Sequence, residues 1–234
     1  MNKIKKLMLC LFNLQFYKAY INIVSPLFEL STLLNFTKDI KTVIDIGSNK
    51  GQFSILAKSF FPRAIIYSFD PQKKNIMIQK KILSDRGVYY FNKGLGNKKE
   101  KKKFYITNRE DSSSFLKPIN NISKNYTLKK SEVINLDKLD NLIKLNQIKI
   151  PTLMKIDVQG YELEVLKGAK KLLKKIDYII AEVSYQKIYT NQISHKKLIH
   201  FLNKNNFFQV KKTNVTNYKK KLFQSDILFK RITK

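Results

Sequence analysis

The stretch Thr42-Val43-Ile44-Asp45-Ile46-Gly47-Ser48-Asn49-Lys50-Gly51-Gln52-Phe53 constrains the fold more than any other part of the chain. A β-branched run ends around one acid, a glycine follows, and small polar residues lead into an amphipathic segment. That order predicts a strand, a tight turn and a helix. Gly47 has no Cβ, so the main chain can turn sharply there and a ligand can lie directly against it. Asp45 stands just before the turn, where a carboxylate can meet an amine of that ligand. An adenine nucleotide or a nucleoside-like cofactor suits such a turn.

Apolar runs alternate with helical spacing along most of the chain. Strands are predicted at Thr42–Ile46, Ala64–Phe69, Val88–Phe91, Glu132–Asn135, Thr152–Asp157 and Tyr178–Val183, with a polar hairpin near Lys102–Thr107. Helices are predicted at Gly51–Phe61, Gln72–Ser84, Asp137–Leu145, Tyr161–Lys174 and His195–Lys204. Phe207–Thr213 and Leu222–Lys230 then close the chain as two strands joined by the lysine-rich turn Asn217–Lys221. Such alternation means βαβ units and a largely parallel sheet. The expected class is α/β, Rossmann-like: a mostly parallel seven-stranded sheet with an antiparallel C-terminal hairpin and helices on both faces. The run Asn97–Lys103 is charged and of low complexity, and reads as a solvated hairpin tip.

At 234 residues, 43% of them apolar and including 16 Phe and 12 Tyr, the chain can bury a substantial core and is not a disordered polypeptide. Cys10 is the sole cysteine, which excludes an intrachain disulfide and a cysteine metal cluster. His195 and His200 are the sole histidines, so a multi-histidine metal centre is excluded. A divalent ion held by Asp157 and Glu162 is the alternative; no recognisable ligand spacing supports it, so no metal ligand is assigned. The formal charge of +29 invites a nucleic-acid partner. Against that, arginine occurs only at 63, 86, 109 and 231, and arginine is the residue suited to bidentate phosphate and base-edge contacts. A solvated lysine-rich surface is preferred, with an anionic membrane or glycan surface next.

The first residues imitate a targeting signal: Lys3, Lys5 and Lys6 precede an apolar run from Leu7 to Phe12. Asn13, Gln15 and Lys18 interrupt it, and neither a small-x-small cleavage pattern nor ~20 apolar residues in a row follow. Ile4, Leu7, Leu11 and Leu14 keep helical spacing, which fits a helix packed on the domain or lying on a lipid surface. A second helix is expected around Phe28–Phe36 after the break at Pro26. Residues 1–38 are therefore read as a helical segment ahead of a domain at 39–234, in a cytoplasmic or membrane-peripheral protein.

Two further positions carry chemistry. Asp70 ends the second predicted strand in Phe69-Asp70-Pro71. An acid about 20 residues beyond a glycine turn, on the neighbouring strand, can hydrogen-bond both hydroxyls of a ribose. It can also cap the helix that Pro71 opens, and the two roles are compatible. In Lys155-Ile156-Asp157-Val158-Gln159-Gly160-Tyr161-Glu162, Asp157 ends a buried strand at its ligand-facing edge. Glu162 opens the next helix and is expected to face the same crevice, so that Lys155, Asp157 and Glu162 form a catalytic group. The plainer alternative has the acids complement the helix N-terminus and loop amides, and it is preferred for Glu164. The pattern Gly47-x-x-x-Gly51 lacks the third glycine of dinucleotide binders and no Gly-Lys-Ser/Thr follows, so the turn suits a ribose without a pyrophosphate.

Together, Val43–Phe53, Phe69-Asp70-Pro71 and Lys155–Ala169 resemble the FkbM family of S-adenosylmethionine-dependent methyltransferases. Gly94-Leu95-Gly96, Ser112–Ser114, Val133–Leu139, Ala181-Glu182-Val183 and Gln224–Phe229 also fit, so the resemblance runs from about Asp39 to Ile232. Asp70 stands where a Glu is common, and Gln159 replaces a frequent Glu and is given no catalytic duty. The resemblance implies O-methylation of a hydroxyl on a sugar, glycan or secondary metabolite. It implies that Asp45, Gly47, Ser48 and Asn49 hold the methionine end of S-adenosylmethionine, Asp70 the ribose, and Gly94 and Leu95 the adenine, with Gln52 as a further cofactor-binding residue. A sugar hydroxyl needs a base, for which Asp157 or Glu162 is the candidate and His195 and His200 are weaker ones. Ser112–Ser114 could close over the acceptor. A nucleic-acid methyltransferase and a non-catalytic cationic membrane module are the alternatives; no Asn-Pro-Pro-aromatic motif for amine methylation is present.

Overall fold

The computed structural model describes residues 14–84, 87–119, 123–218 and 220–232. Ten strands are assigned: β1 Thr42–Ile46, β2 Ile65–Phe69, β3 Val88–Phe91, β4 Gly94–Leu95, β5 Glu100–Thr107, β6 Leu128–Asp137, β7 Thr152–Ile156, β8 Tyr178–Ser184, β9 Phe207–Tyr218 and β10 Lys221–Arg231. The α-helices are α1 Leu14–Ile21, α2 Ser31–Leu34, α3 Gln52–Phe60, α4 Lys73–Ile82, α5 Leu139–Leu142, α6 Glu162–Lys167 and α7 His195–Lys204. The Ile4–Leu11 part of the predicted first helix lies outside the described residues.

The main sheet has seven strands in the order β3-β2-β1-β7-β8-β10-β9. β1, β2, β3, β7 and β8 are mutually parallel, and β10 runs antiparallel to both β8 and β9. The order leaves β1 in both directions, so β1 and β7 flank the point where an open α/β sheet parts its connections and leaves a crevice at the strands' carboxyl ends.

The period of two along the strands separates two cores. Ile44, Ile46, Met154, Ile156, Ile179, Ala181, Ile227 and Phe229 belong to one, and Val43, Leu153, Ile180 and Leu228 to the other, which is shared with Leu30, Leu33, Leu34 and Phe53. Burial on both faces is why β1 and β7 are apolar apart from their opening threonines and the charged pair Asp45 and Lys155. α1 is joined to this body by Phe16 and Ala19, which pack with Ile55, Ile82 and Leu83. Among the described residues no helix is long and apolar enough to cross a membrane.

The structure departs from expectation in four places. The hairpin near Lys102–Thr107 and the solvated tip at 97–103 are replaced by a second sheet, β4-β6-β5, in which β5 pairs antiparallel with β6. Its lysines hide the alternation: Lys101 and Lys103 point outward, whereas Phe104 and Ile106 are buried in the first core. The helix expected over Tyr161–Lys174 is interrupted after Lys167 and resumes as a short 3-10 turn at Leu172–Lys175. Gly168 sits in the break, where a Cβ would stand 2.0 Å from the Gly96 carbonyl oxygen. The helices near 28–36 and 137–145 are likewise split into 3-10 and short α pieces. Finally, β9 and β10 pair as far as Tyr218 and Lys221, so the turn is tighter than Asn217–Lys221.

Candidate active site

The glycine turn is built as a left-handed bend with three positive-φ residues, Gly47 (73°), Asn49 (47°) and Gly51 (86°). Gly47 and Ser48 both donate their amides to the Phe69 carbonyl at 3.0 Å, tying the turn to β2. A Cβ on Gly47 would lie 1.8 Å from the Asp157 carbonyl oxygen. Glycine is therefore required both by the dihedral and by the close approach of the chain leaving β7. Beneath the turn, the buried Gln79 of α4 donates to Ser48 Oγ (2.8 Å) and the Asn49 carbonyl (2.5 Å), and accepts from Ser68 Oγ (2.5 Å). Sequence reasoning missed this clamp; the polar pair Asn75 and Gln79, one helical turn apart within an otherwise apolar face, was the available signal.

Asp70 is buried and bonds to both sides of the crevice. Its Oδ2 accepts the Asn49 amide at 2.9 Å, and its Oδ1 accepts the Gln72 amide at 2.8 Å and Asn75 Nδ2 at 3.0 Å. The helix does not open at Pro71 as expected: it begins at Lys73 after Gln72 with no side-chain cap, and the bond from the Gln72 amide to Asp70 closes a local turn ahead of it. Burial pushes its pKa up to about 7, against the pull of these donors.

Two adjoining cavities open here. A narrow one of about 50 Å³ is lined by Asp70, Phe69, Gly94, Leu95, Phe104 and Phe115, among others. A larger polar one of about 520 Å³ is lined by Ser48, Gln52, Arg109, Tyr126, Lys155, Glu182 and Asp226, among others. Gly47, Asn49, Asp111, Asp157 and Gln159 border both, so the Gly47 turn and the end of β7 form the partition.

The floor of the polar cavity follows from strand register. Asp45 on β1 pairs with Lys155 on β7, and Glu182 on β8 pairs with Asp226 on β10. Lys155 is almost wholly buried and reaches Asp157 Oδ2 at 3.0 Å. Burial opposes its charge, but Asp157 and Asp45 more than offset that, and its pKa lies above the ordinary lysine value. Asp45 is fully buried and absent from either cavity wall; Ser54 Oγ donates to its Oδ2 at 2.7 Å. Its Oδ1 has no hydrogen-bond partner among the described residues, and burial raises its pKa while Lys155 lowers it. Its observed role is to face Lys155 from below.

Gln159 is the hub of the floor. It is held at φ 56°, donates Nε2 to Asp157 Oδ1 (2.8 Å) and Glu182 Oε2 (2.9 Å), and accepts Tyr189 Oη on Oε1 (2.9 Å). Glu182 Oε2 also accepts Gln224 Nε2 at 2.9 Å. Burial, then the Asp157 and Asp226 carboxylates, raises the Glu182 pKa well above the carboxylate range. Burial likewise brings Asp226 to about 6. Glu182 and Asp226 were quoted in the sequence without a role, because only strand order brings β8 and β10 beside β7.

Glu162 corrects an expectation. It does not line either cavity; its Oε1 turns back to accept the Gly160 amide (2.9 Å) and the Val158 amide (3.3 Å), bracing the loop after β7. Glu164 bonds Asn97 and Lys167 at the surface. Ser112–Ser114 is buried and pinned over the partition: Ser114 Oγ donates to the Gln159 carbonyl at 2.8 Å, and Ser112 takes Tyr189 Oη on its carbonyl at 2.6 Å. His195, which opens α7, packs its ring against Tyr185 just after β8, and neither it nor His200 lines a cavity. Among the described residues no group of three or more His, Cys, Asp or Glu is arranged to hold a metal ion.

This strand order, with a glycine turn after β1 and a crevice at the switch point, defines the Rossmann-like methyltransferase fold. An rRNA methylase from Streptococcus thermophilus superposes with a TM-score of 0.50 at 10% identity, over 88% of this chain and 96% of that one. An uncharacterised protein from Listeria monocytogenes serotype 4b does so with a TM-score of 0.50 at 8% identity, over 88% and 67%. At such identity the likeness concerns the fold alone. The family model described as the methyltransferase FkbM domain matches residues 45–208, and the chain belongs to that family. It is also 39% identical over 44 residues to the hexuronic acid methyltransferase AglP of Haloferax volcanii, a match spanning 19% of this chain and 18% of AglP.

Proposed function

We propose that the chain is an S-adenosylmethionine-dependent O-methyltransferase acting on a hydroxyl of a sugar, glycan or related small molecule. The observation that carries this reading is the polar cavity floored by Lys155, Asp157, Glu182 and Asp226, separated by the Gly47 turn and the end of β7 from the cavity that Asp70 borders. The residues fit a cationic nucleoside cofactor. Asp70, Glu110, Asp111 and Asp157 border the narrow cavity together with Lys93. Lys74, Arg109 and Lys155 pair with the last three acids from outside that lining. The lining itself therefore carries more acids than cations and favours a sulfonium and an ammonium over a pyrophosphate. Asp70 would hold the ribose, Gly94 and Leu95 would flank the adenine, and Gly47, Ser48, Asn49 and Gln52 would hold the methionine end, with Asp45 acting from beneath through Lys155. When bound, the cofactor supplies an electrophilic methyl group.

The chain's own contribution is positioning and proton removal. Both oxygens of Asp157 are engaged, one by Lys155 and one by Gln159. Glu182 has both of its described bonds on Oε2, so its Oε1 is the better placed proton acceptor for an acceptor hydroxyl. Asp157 becomes the fixed partner that orients Lys155 and Gln159. The AglP match, though short, supports a sugar acid among the first acceptors to try.

Incubating the full chain with methyl-labelled cofactor and a panel of hexoses, hexuronic acids and their glycosides tests the reading. Transfer to a hydroxyl, reduced about 10²-fold or more by Glu182→Gln with cofactor affinity kept, is the expected result. Transfer to RNA and to none of the sugars would overturn it.

A further inference from the structure

The outer face of α1 is apolar, and its side chains are exposed among the described residues. Phe16 and Ala19 turn inward, whereas Leu14, Tyr17, Tyr20 and Ile21 are exposed, and Ile23 just beyond the helix is 91% exposed. Leu14, Tyr17 and Ile21 recur at helical spacing, so they form one stripe rather than scattered residues. Surface residues of this kind are ordinary singly but informative when contiguous.

Charge identifies what the stripe meets. The first 28 residues contain Lys3, Lys5, Lys6 and Lys18 and no acid, and Leu7–Phe12 extends the apolar character ahead of α1. α4, against which α1 packs, also has four lysines and no acid, and its Lys80 and Lys81 are exposed. Lys74 of α4 is paired with Glu110, so Lys18 on α1 and the exposed Lys80 and Lys81 of α4 are the cations set beside the stripe. That combination matches a lipid surface of negative headgroups, into which the apolar side chains insert while the lysines meet phosphates. A second copy of the chain would bring the same lysines together and repel. Past Ile23 the chain enters the wall of the polar cavity through Leu27 and Leu30.

We infer that the exposed face of α1 and Ile23, with the lysines of α4, is a docking surface for an anionic lipid bilayer, independent of the reaction performed in the cavity. The test is co-sedimentation of the full chain with phosphatidylcholine vesicles with and without phosphatidylglycerol. Binding to the anionic vesicles alone, weakened by added salt, is the expected result. Tyr17→Ser with Ile21→Ser and Ile23→Ser should lower partitioning about tenfold or more, because three inserted side chains are lost. The thermal melt and cofactor titration of that variant should match the parent, since these residues support no core. Lys80→Glu with Lys81→Glu should weaken binding at low salt and flatten its salt dependence. Four outcomes would overturn the inference: no binding to either vesicle, equal binding to both, unchanged binding of the triple variant, or a dimer in sedimentation that the triple variant abolishes. Tight binding to single-stranded RNA with none to vesicles would also reject it.

Discussion

Lys155→Met probes the electrostatic floor of the site through stability, a readout that needs no substrate. Lys155 stands against Asp157 at 3.0 Å and beside Asp45, and its side chain is 4% exposed where that of Asp157 is 26% exposed. Removing one partner of a buried pair costs about 3–5 kcal/mol, because the other charge is left without compensation. Partial exposure of Asp157 places this case at the lower end, about 3 kcal/mol. For a domain of this size that is a fall in Tm of about 6–12 °C. The penalty should depend on pH. Without the lysine, which holds them down, the raised folded-state pKa values of Asp45 and Asp226 move further above their unfolded values. The folded state then retains protons that the unfolded state has released, and stability is lost as pH rises through that window. The Tm deficit of Lys155→Met should thus be largest near about pH 8 and shrink towards about pH 5, where the carboxyls are neutral. Melts followed by circular dichroism at the two pH values, with wild type as reference to cancel net-charge effects, measure it. Adding Asp157→Asn to Lys155→Met should recover part of the loss at the higher pH. A deficit of under about 1 kcal/mol, or one that does not vary with pH, would refute the ion-pair reasoning.

Other outcomes follow from the same geometry. Gln159→Glu places a third carboxylate within 3 Å of Asp157 and Glu182; its stability should match wild type near about pH 5 and fall steadily towards about pH 8, at up to about 1.4 kcal/mol per pH unit, and pH-independent melts would contradict it. Gly47→Ala should cost more than about 2 kcal/mol, because its Cβ would stand 1.8 Å from the Asp157 carbonyl oxygen and its φ is 73°; a denaturant midpoint like wild type would show that the turn relaxes freely. Asp70→Ala leaves the Asn49, Gln72 and Asn75 donors without their acceptor and should weaken cofactor binding about tenfold or more, as read by titration calorimetry.

Much of this fold is local in origin and was therefore legible. β1, β3 and α7 match their predicted limits, since β-branched runs and helical spacing act within a few residues. The glycine turn and the acid at the end of β2 were also legible, because each is tied to one strand end. What escaped notice depends on contacts distant in sequence. Glu182 and Asp226 matter only because β8 and β10 pair side by side. The role of Gln159 as a clamp between carboxylates depends on a side chain that reaches from the β7 loop to β8. Glu162 was misread for the opposite reason: a helix-opening acid can face a crevice or fold back on its own loop amides, and the sequence is the same in both cases. The second sheet was hidden by lysines whose alternation with Phe104 and Ile106 carries the signal that their charge obscures.

Isothermal titration of the full chain with S-adenosylmethionine, and then with its demethylated product, measures the central claim directly. Saturable binding at one site, on the order of micromolar and weakened in Asp70→Ala, is the result predicted for a nucleoside cofactor seated across the Gly47 turn. A folded protein that gives no saturable heat with either compound, or binds both as tightly after Asp70→Ala, would contradict it.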